Sequence, residues 1–405
     1  MAQQFGGARI LIYSHDSFGL GHLRRCQTIA RALVDRFQDL SVMILSGSPI
    51  IGAFDFPARV DFVRIPGIIK LYDGDYTSLG LHIDLKDTLA IRASIIEHTA
   101  AAFAPDIFIV DKEPLGLRGE IRETLEMLRR QGTTLVLGLR DVLDAPHLLR
   151  REWETRKLMP VLDSLYDEVW VFGLESFWDP LRDMGASEAV RGKMAYTGYL
   201  RRDVPPGPKP VPLTRIGEPY VLVTPGGGGD GEEMIDWALR AYEADPALPC
   251  AGLFVLGPFM PSERRAQFQA RADRLPRVEI VTFDARLEML MEQAVGVVAM
   301  GGYNTFCELL SLDKPSILVP RHAPRQEQLV RASRASDLGL VHVLDPRDGM
   351  PTDRMVAAMR ALPVQTKPSA ACVQGLLDGL DNVARLAERH LSVRRRQPHA
   401  VRAGG

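Results

Sequence analysis

The sequence predicts an α/β protein built from two doubly wound, Rossmann-like domains, and three observations carry that prediction. Its 405 residues exceed what one core organises, since single cores stop growing at roughly 250–300 residues. Short β-branched runs alternate with stretches of helical spacing, the rhythm of parallel sheet with crossover helices. The rhythm breaks once, between Asp203 and Pro212, where five of ten residues are proline, and then restarts. Proline fixes φ and lacks a donor, so this segment joins neither a central strand nor a helix interior and reads as a linker.

In chain order, strands are expected at 8–14, 41–46, 60–65, 106–110, 134–138 and 168–172, with helices at 23–37 and 118–130 among the connections. After the linker come strands at 220–224, 251–255, 278–281, 296–300, 316–319 and 341–344. Helices are expected between them at 232–242, 262–274, 286–293, 304–312 and 326–338. The resulting division is a first domain over 1–203, a linker over 204–213, a second domain over 214–365, and a C-terminal helix with a basic tail over 366–405. Two such domains turn the carboxyl ends of their sheets toward one cleft, where open α/β folds bind ligands.

Composition narrows the partners. With 46% hydrophobic and 25% charged residues and a formal net charge of −2, the chain is neither disordered nor a carrier of a global field for nucleic acid. The apolar run before His15 is too short for a signal-peptide core. The stretch 294–300 is far below the roughly 18 residues a membrane span needs. Cys26, Cys250, Cys307 and Cys372 stand far apart without a CxxC pair, which argues against a zinc or redox motif and fits a reducing compartment. A cytoplasmic protein without a transmembrane segment is expected, with peripheral membrane contact left open.

Four motifs suggest chemistry. After the first strand, Gly19, Gly21 and His22 open a helix, and glycines there let backbone approach an anion at the helix start. Arg24 stands where a dinucleotide fingerprint needs its third glycine, and the second strand ends in Leu45 and Ser46 rather than an acid, so a nicotinamide enzyme is disfavoured. His22, near a helix amino end, is held neutral and remains a base near neutral pH. Arg24 and Arg25 beside it suit either phosphate or solvent. Gly226, Gly227, Gly228, Gly229 and Gly231 precede the next helix as a phosphate-cradling loop, and no Gly-Lys-Ser/Thr follows to make it a Walker loop. A third loop, Gly301-Gly302-Tyr303-Asn304-Thr305, ends a strand and starts a helix whose N–H groups and Thr305 hydroxyl suit a pyrophosphate. Glu308 lies one turn on, beside Asn304, where a carboxylate can accept two ribose hydroxyls. Lys314-Pro315, Gln326 and Gln328 complete the pattern.

This pattern resembles the GT-B glycosyltransferases of family 28. The shared run is strand, Gly-Gly-x-x-Thr-x-x-Glu, Lys/Gly-Pro, a strand ending Val-Pro, and a Glu/Gln-Gln pair before a helix. The resemblance covers residues 220–345 well and the first 35 residues moderately. It implies that Thr305 and neighbouring amides hold the donor diphosphate, Glu308 the ribose, and Gln326 or Gln328 the sugar or phosphate. It also matches Gly226 to Gly229 and His22 to family loops, and casts the first domain as acceptor-side and the second as donor-binding. The expected reaction is inverting transfer from a UDP-sugar to an unknown acceptor, with His22 as base and no cofactor or metal, since no Asp-x-Asp ends an expected strand. Gly19 to Ala30 also resembles the start of a UDP-sugar hydrolase of the same superfamily, so hydrolysis is the alternative and a non-catalytic nucleotide-sugar sensor a third. Residues 66–104 and 111–160 match nothing, and Tyr303 replaces the small residue usual there.

Overall fold

The apolar runs become strands without polar alternation, because both faces of a parallel sheet are covered. The computed structural model describes residues 7–15, 21–70, 76–204, 217–226, 230–282 and 287–395. In β1 (Ala8–Ser14), Ile10 to Tyr13 are 0% exposed. Helix α1 (Gly21–Arg36) buries Leu23, Cys26, Ile29, Ala30, Leu33 and Val34 on one face, a 3.6-residue repeat, and packs on β2 (Leu40–Ser46). β3 (Val60–Arg64) follows.

A hairpin of β4 (Ile68–Lys70) and β5 (Tyr76–Ser78) and the long helix α2 (Leu85–Phe103) then appear where the sequence pattern assigned nothing. The two strands are too short to show a period. The buried positions of α2 are Thr88, Arg92, Ile96 and Ala100, so its inward stripe is half polar. Arg92 is satisfied there by Glu120, at 2.6 Å from both Nε and Nη2. Asp73-Gly74-Asp75 stands between β4 and β5, so an Asp-x-Asp does separate two strands after all; its residues lie outside the described ones.

The first sheet continues with β6 (Ile107–Asp111), α3 (Arg122–Arg130), β7 (Thr134–Arg140), α4 (Pro146–Thr155), α5 (Leu158–Leu165), β8 (Glu168–Phe172), α6 (Glu188–Gly192) and β9 (Met194–Tyr196). α3 starts later than expected because Arg118, at φ 49°, breaks the helix. All seven strands are parallel, in the order β3-β2-β1-β6-β7-β8-β9. The order reverses between β1 and β6.

The second sheet takes β10 (Tyr220–Thr224), α7 (Glu232–Ala244), β11 (Ala251–Val255), α8 (Ser262–Ala272), β12 (Val278–Val281) and α9 (Leu287–Gln293). It ends with β13 (Gly296–Ala299), α10 (Tyr303–Ser311), β14 (Ser316–Leu318), α11 (Glu327–Asp337), β15 (His342–Val343) and α12 (Thr352–Ala361). Its parallel order, β12-β11-β10-β13-β14-β15, reverses between β10 and β13.

Two compact units result. The first holds the described residues up to Asp141, those of 146–200 and those from Asp378 on; the second holds Val142–Ala145 and Arg201–Leu377. The linear division therefore differs at three places: residues 142–145 and 201–203 belong to the second unit, and the C-terminal segment is split, 366–377 with the second unit and the part from Asp378 on with the first. Helix α13 (Gly379–Arg395) belongs to the first unit: it packs on α1, and Asn382 Nδ2 donates to the Thr197 carbonyl at 2.6 Å. Residues 205–213 of the expected linker lie outside the described ones. Among the described residues, no helix is long and apolar enough to cross a membrane.

Candidate active site

In the first unit, the strand-order reversal puts the start of α1 beside the end of β6, the position where open α/β sheets bind ligands. His22, in the first turn of α1, approaches Asp111, the last residue of β6, with Nδ1 2.5 Å from Oδ2. Arg25, one turn on, donates from Nε to Asp111 Oδ1 at 2.8 Å and from Nη2 to both carboxylate oxygens at 2.6 and 2.8 Å. Its Nη2 also lies 3.0 Å from His22 Nδ1. The side chains of Arg25 and Asp111 are 2% and 3% exposed and that of His22 17%.

Burial opposes charge on His22 and Asp111. It pushes His22 down to about 4, although Asp111 pulls the other way. Burial alone would raise Asp111, but the charge of Arg25 and the hydrogen bonds from His22 and Arg25 hold it well below the usual carboxylate range. Asp111 is thus ionised and His22 neutral at pH 7. With Nδ1–H donated to Asp111, the second ring nitrogen, Nε2, carries the lone pair, as in a base oriented by a carboxylate. A second histidine follows β1: His15, 5% exposed, sets its ring edge-on to that of His22, centroids 5.6 Å apart.

The second unit repeats the topology with different chemistry. Thr224 and Ala299 are register partners on β10 and β13, so the loops after them, at Gly226 and at Gly301, run side by side. Gly226 and Gly301 have φ of 89° and 79°, a region that L-residues with a Cβ avoid. A Cβ on Gly226 would stand 3.2 Å from Thr305 Oγ1, which shows how closely the two loops approach. Gly302 caps α10 without a side-chain hydrogen bond, and a Cβ there would lie 4.0 Å from Gln328 Nε2. Arg202 Nη2 donates to Asn304 Oδ1 at 2.7 Å. Arg331 is fully buried on α11, donates to the Gly301 carbonyl at 3.2 Å and lies 5.7 Å from the centre of the Tyr303 ring. A backbone-lined helix start flanked by guanidinium groups is suited to a phosphate.

Residues 255–360, which hold this helix start, match the glycosyltransferase family 28 C-terminal domain. The chain resembles family 28, and its fold is GT-B. One relative is the UDP-N-acetylglucosamine–N-acetylmuramyl-(pentapeptide) pyrophosphoryl-undecaprenol N-acetylglucosamine transferase of Nitrobacter winogradskyi, 28% identical over 212 residues. That match covers 50% of this chain and 56% of the relative, so the chain spans about half the length of the curated relative it matches. Among solved structures, Phytolacca americana UGT2 with UDP-2-fluoro-glucose and pterostilbene superposes with TM-score 0.63 at 14% identity, covering 95% and 99% of the two chains. Acinetobacter baumannii MurG gives 0.58 at 11% identity over 94% and 99%, and VinC with dTDP 0.62 at 17% over 96% and 100%. At these identities the likeness is one of fold.

Within the GT-B fold, the residues expected from sequence separate into groups. Gly226, Gly301, Gly302, Asn304, Thr305 and Gln328 come together around the start of α10. Glu308 is on the same helix and 0% exposed. Gln326 precedes α11, its N–H held by Asp144 at 2.8 Å. Lys314 donates to the carbonyls of Glu292 and Ala294, at 2.6 and 2.9 Å, and so closes the end of α9 instead of meeting the α10 loop. Arg25 is sequestered by Asp111, so it is not a phosphate contact. Asp111, at the end of β6, is the partner of His22. Gly21 begins α1; Gly19, Gly227, Gly228 and Gly229 lie outside the described residues.

Arg202, Arg331 and His15 were missed. For Arg331 a signal existed: on α11 it falls in register with the buried Gln328, Ala332 and Ala335, a cation on the inward stripe. Among the described residues, no three His, Cys, Asp or Glu side chains group as metal ligands.

Proposed function

We propose that the protein transfers a sugar from a UDP-sugar to an acceptor hydroxyl, with inversion at the anomeric carbon and without a metal in the step. Acceptor oxygen attacks the anomeric carbon as its proton passes to His22 Nε2. The bond from that carbon to the diphosphate oxygen breaks, the electron pair leaves with the diphosphate, and UDP is released. Asp111 keeps the ring in the required tautomer and stabilises the imidazolium that forms. The amino end of α10, with Thr305 and the glycine loops, offsets the charge of the leaving diphosphate, while Glu308 and Gln328 serve ribose and sugar.

The observation that carries this reading is the 2.5 Å contact between His22 Nδ1 and Asp111, which leaves the other ring nitrogen basic. The family 28 match over residues 255–360 supports the donor class. The test is UDP release from a panel of UDP-sugars, with and without sugar or alcohol acceptors. Acceptor-dependent release is expected. Equal release without acceptor would replace transfer by hydrolysis, and UDP-sugar binding without release would leave a sensor.

A further inference from the structure

The first unit carries a buried and a half-buried histidine, His15 and His22, side by side, and the sequence pattern drew attention to one. Their surroundings differ. His22 is tied to Asp111, whereas no hydrogen bond reaches the His15 ring among the described residues. Glu113 is the carboxylate nearest in effect to His15, but it is already engaged by Arg156 Nη1 at 2.7 Å and Lys112 Nζ at 3.6 Å. Among the described residues nothing fixes a tautomer of His15, as a general base requires. What His15 does have is position: it is 5% exposed, its ring 6.4 Å from that of Tyr13 and tilted to it by 45°, and edge-on to that of His22 at 5.6 Å and 82°.

We propose that His15 is a positioning residue for His22, an aromatic wall that excludes water from one side of the base and holds its ring toward Asp111. This rests on the reading of His22 as the base, and His15 itself does not touch substrate. Four groups act on His22: Asp111 and Lys112 from the end of β6, Arg25 from α1, and His15 from the end of β1. Of these four, His15 is the one that is neutral at pH 7, since burial pushes it well below its usual range, and without a hydrogen bond to its ring among the described residues. Removing the ring therefore changes chiefly the hydration of His22. Water admitted there favours the protonated ring, so the proton affinity of His22 rises.

The experiment is a histidine-ring NMR titration of the full chain as wild type, His15→Phe and His15→Ala, with the His22 signal assigned by its loss in His22→Ala. Wild type is expected to titrate at about 4. Phenylalanine keeps the wall and should hold the value within about half a unit, while alanine should move it up by about one unit or more, toward 6.5. Thermal melts report folding, and His15→Thr, a good strand former, stands in if the alanine chain does not fold. An unmoved His22 signal in His15→Ala, or His15→Phe moving as far as alanine, overturns the proposal. Because this readout needs no turnover, it is separable from the reading of His22 itself, which fails if His22→Ala keeps its UDP-sugar turnover.

Discussion

His22 in the first unit and Thr305 in the second both stand in the first turn of a helix that follows a central strand where strand order reverses. What surrounds them differs. Around His22 the groups are side chains that satisfy one another: a buried guanidinium, a buried carboxylate and an imidazole within 3.0 Å. Around Thr305 the walls are backbone, brought close by glycines with positive φ. Under the proposed function, one arrangement would move a proton and depend on charge balance; the other would receive an anion at a helix start kept open by glycines. Damage to the first should therefore appear in turnover and stability, and damage to the second in donor affinity.

The largest effect is expected for His22→Ala, which should lower kcat by about 10²–10⁴-fold, the usual share of a positioned acid–base group. UDP affinity, measured by calorimetry, should stay near wild type. The reverse result, weak UDP binding with turnover kept at saturating donor, would move His22 to the anion-binding side of the contrast. Because folding lowers His22 from 6.5 to about 4, the folded chain binds fewer protons there than the unfolded chain between those values. Stability at this site is thus fully present above pH 6.5 and is lost as pH falls toward 4. Turnover should fall on the acid side of the same value, since only the neutral ring accepts a proton.

Asp111→Asn sharpens the charge-balance half of the contrast. It leaves Arg25, 2% exposed, buried without its counter-charge, a change that costs about 3–5 kcal/mol of unfolding free energy. Urea denaturation reads this directly, and a loss below about 1 kcal/mol would mean that the cluster is not held by charge. Turnover should fall in the same variant, because asparagine does not fix the tautomer of His22.

Effects in the second unit should be smaller and of another kind. Glu308→Ala is expected to weaken UDP binding by about 1–3 kcal/mol through lost charge-assisted hydrogen bonds. Because this carboxylate is 0% exposed, a melting curve must accompany the calorimetry. A lower melting temperature with unchanged UDP affinity would make Glu308 part of the core instead. Smallest is Gly226→Ala: holding a residue with a Cβ at φ 89° costs about 1–2 kcal/mol, and the new methyl crowds Thr305. UDP affinity should drop by about tenfold, the equivalent of 1.4 kcal/mol, with kcat at saturating donor nearly kept. A fall in kcat with affinity intact would break the division of labour between the two units.

By itself the sequence determined the strands and the glycine loops. β1, β8, β10, β11 and β12 have the limits their apolar runs predict, because a parallel strand buried on both faces must be written as a continuous run. The helix start at Gly301–Thr305 was legible because strand, glycine pair and capping residues are adjacent in the chain. Tertiary structure alone decided the partners. Asp111 is 89 residues from His22 and reaches it only because β6 pairs with β1. Arg25 reads as a surface cation until that pairing buries it. α2 was invisible because its inward stripe includes Thr88 and Arg92, and Arg92 is acceptable inside only once Glu120 arrives beside it. In α13 the buried stripe of Val383, Ala387 and Leu391 is periodic, but that it packs on α1, with Asn382 meeting the Thr197 carbonyl, is decided only by the fold. Hydrophobic pattern is a local property and survives in the sequence; electrostatic pairing is a property of distance in space, and only the fold sets that distance.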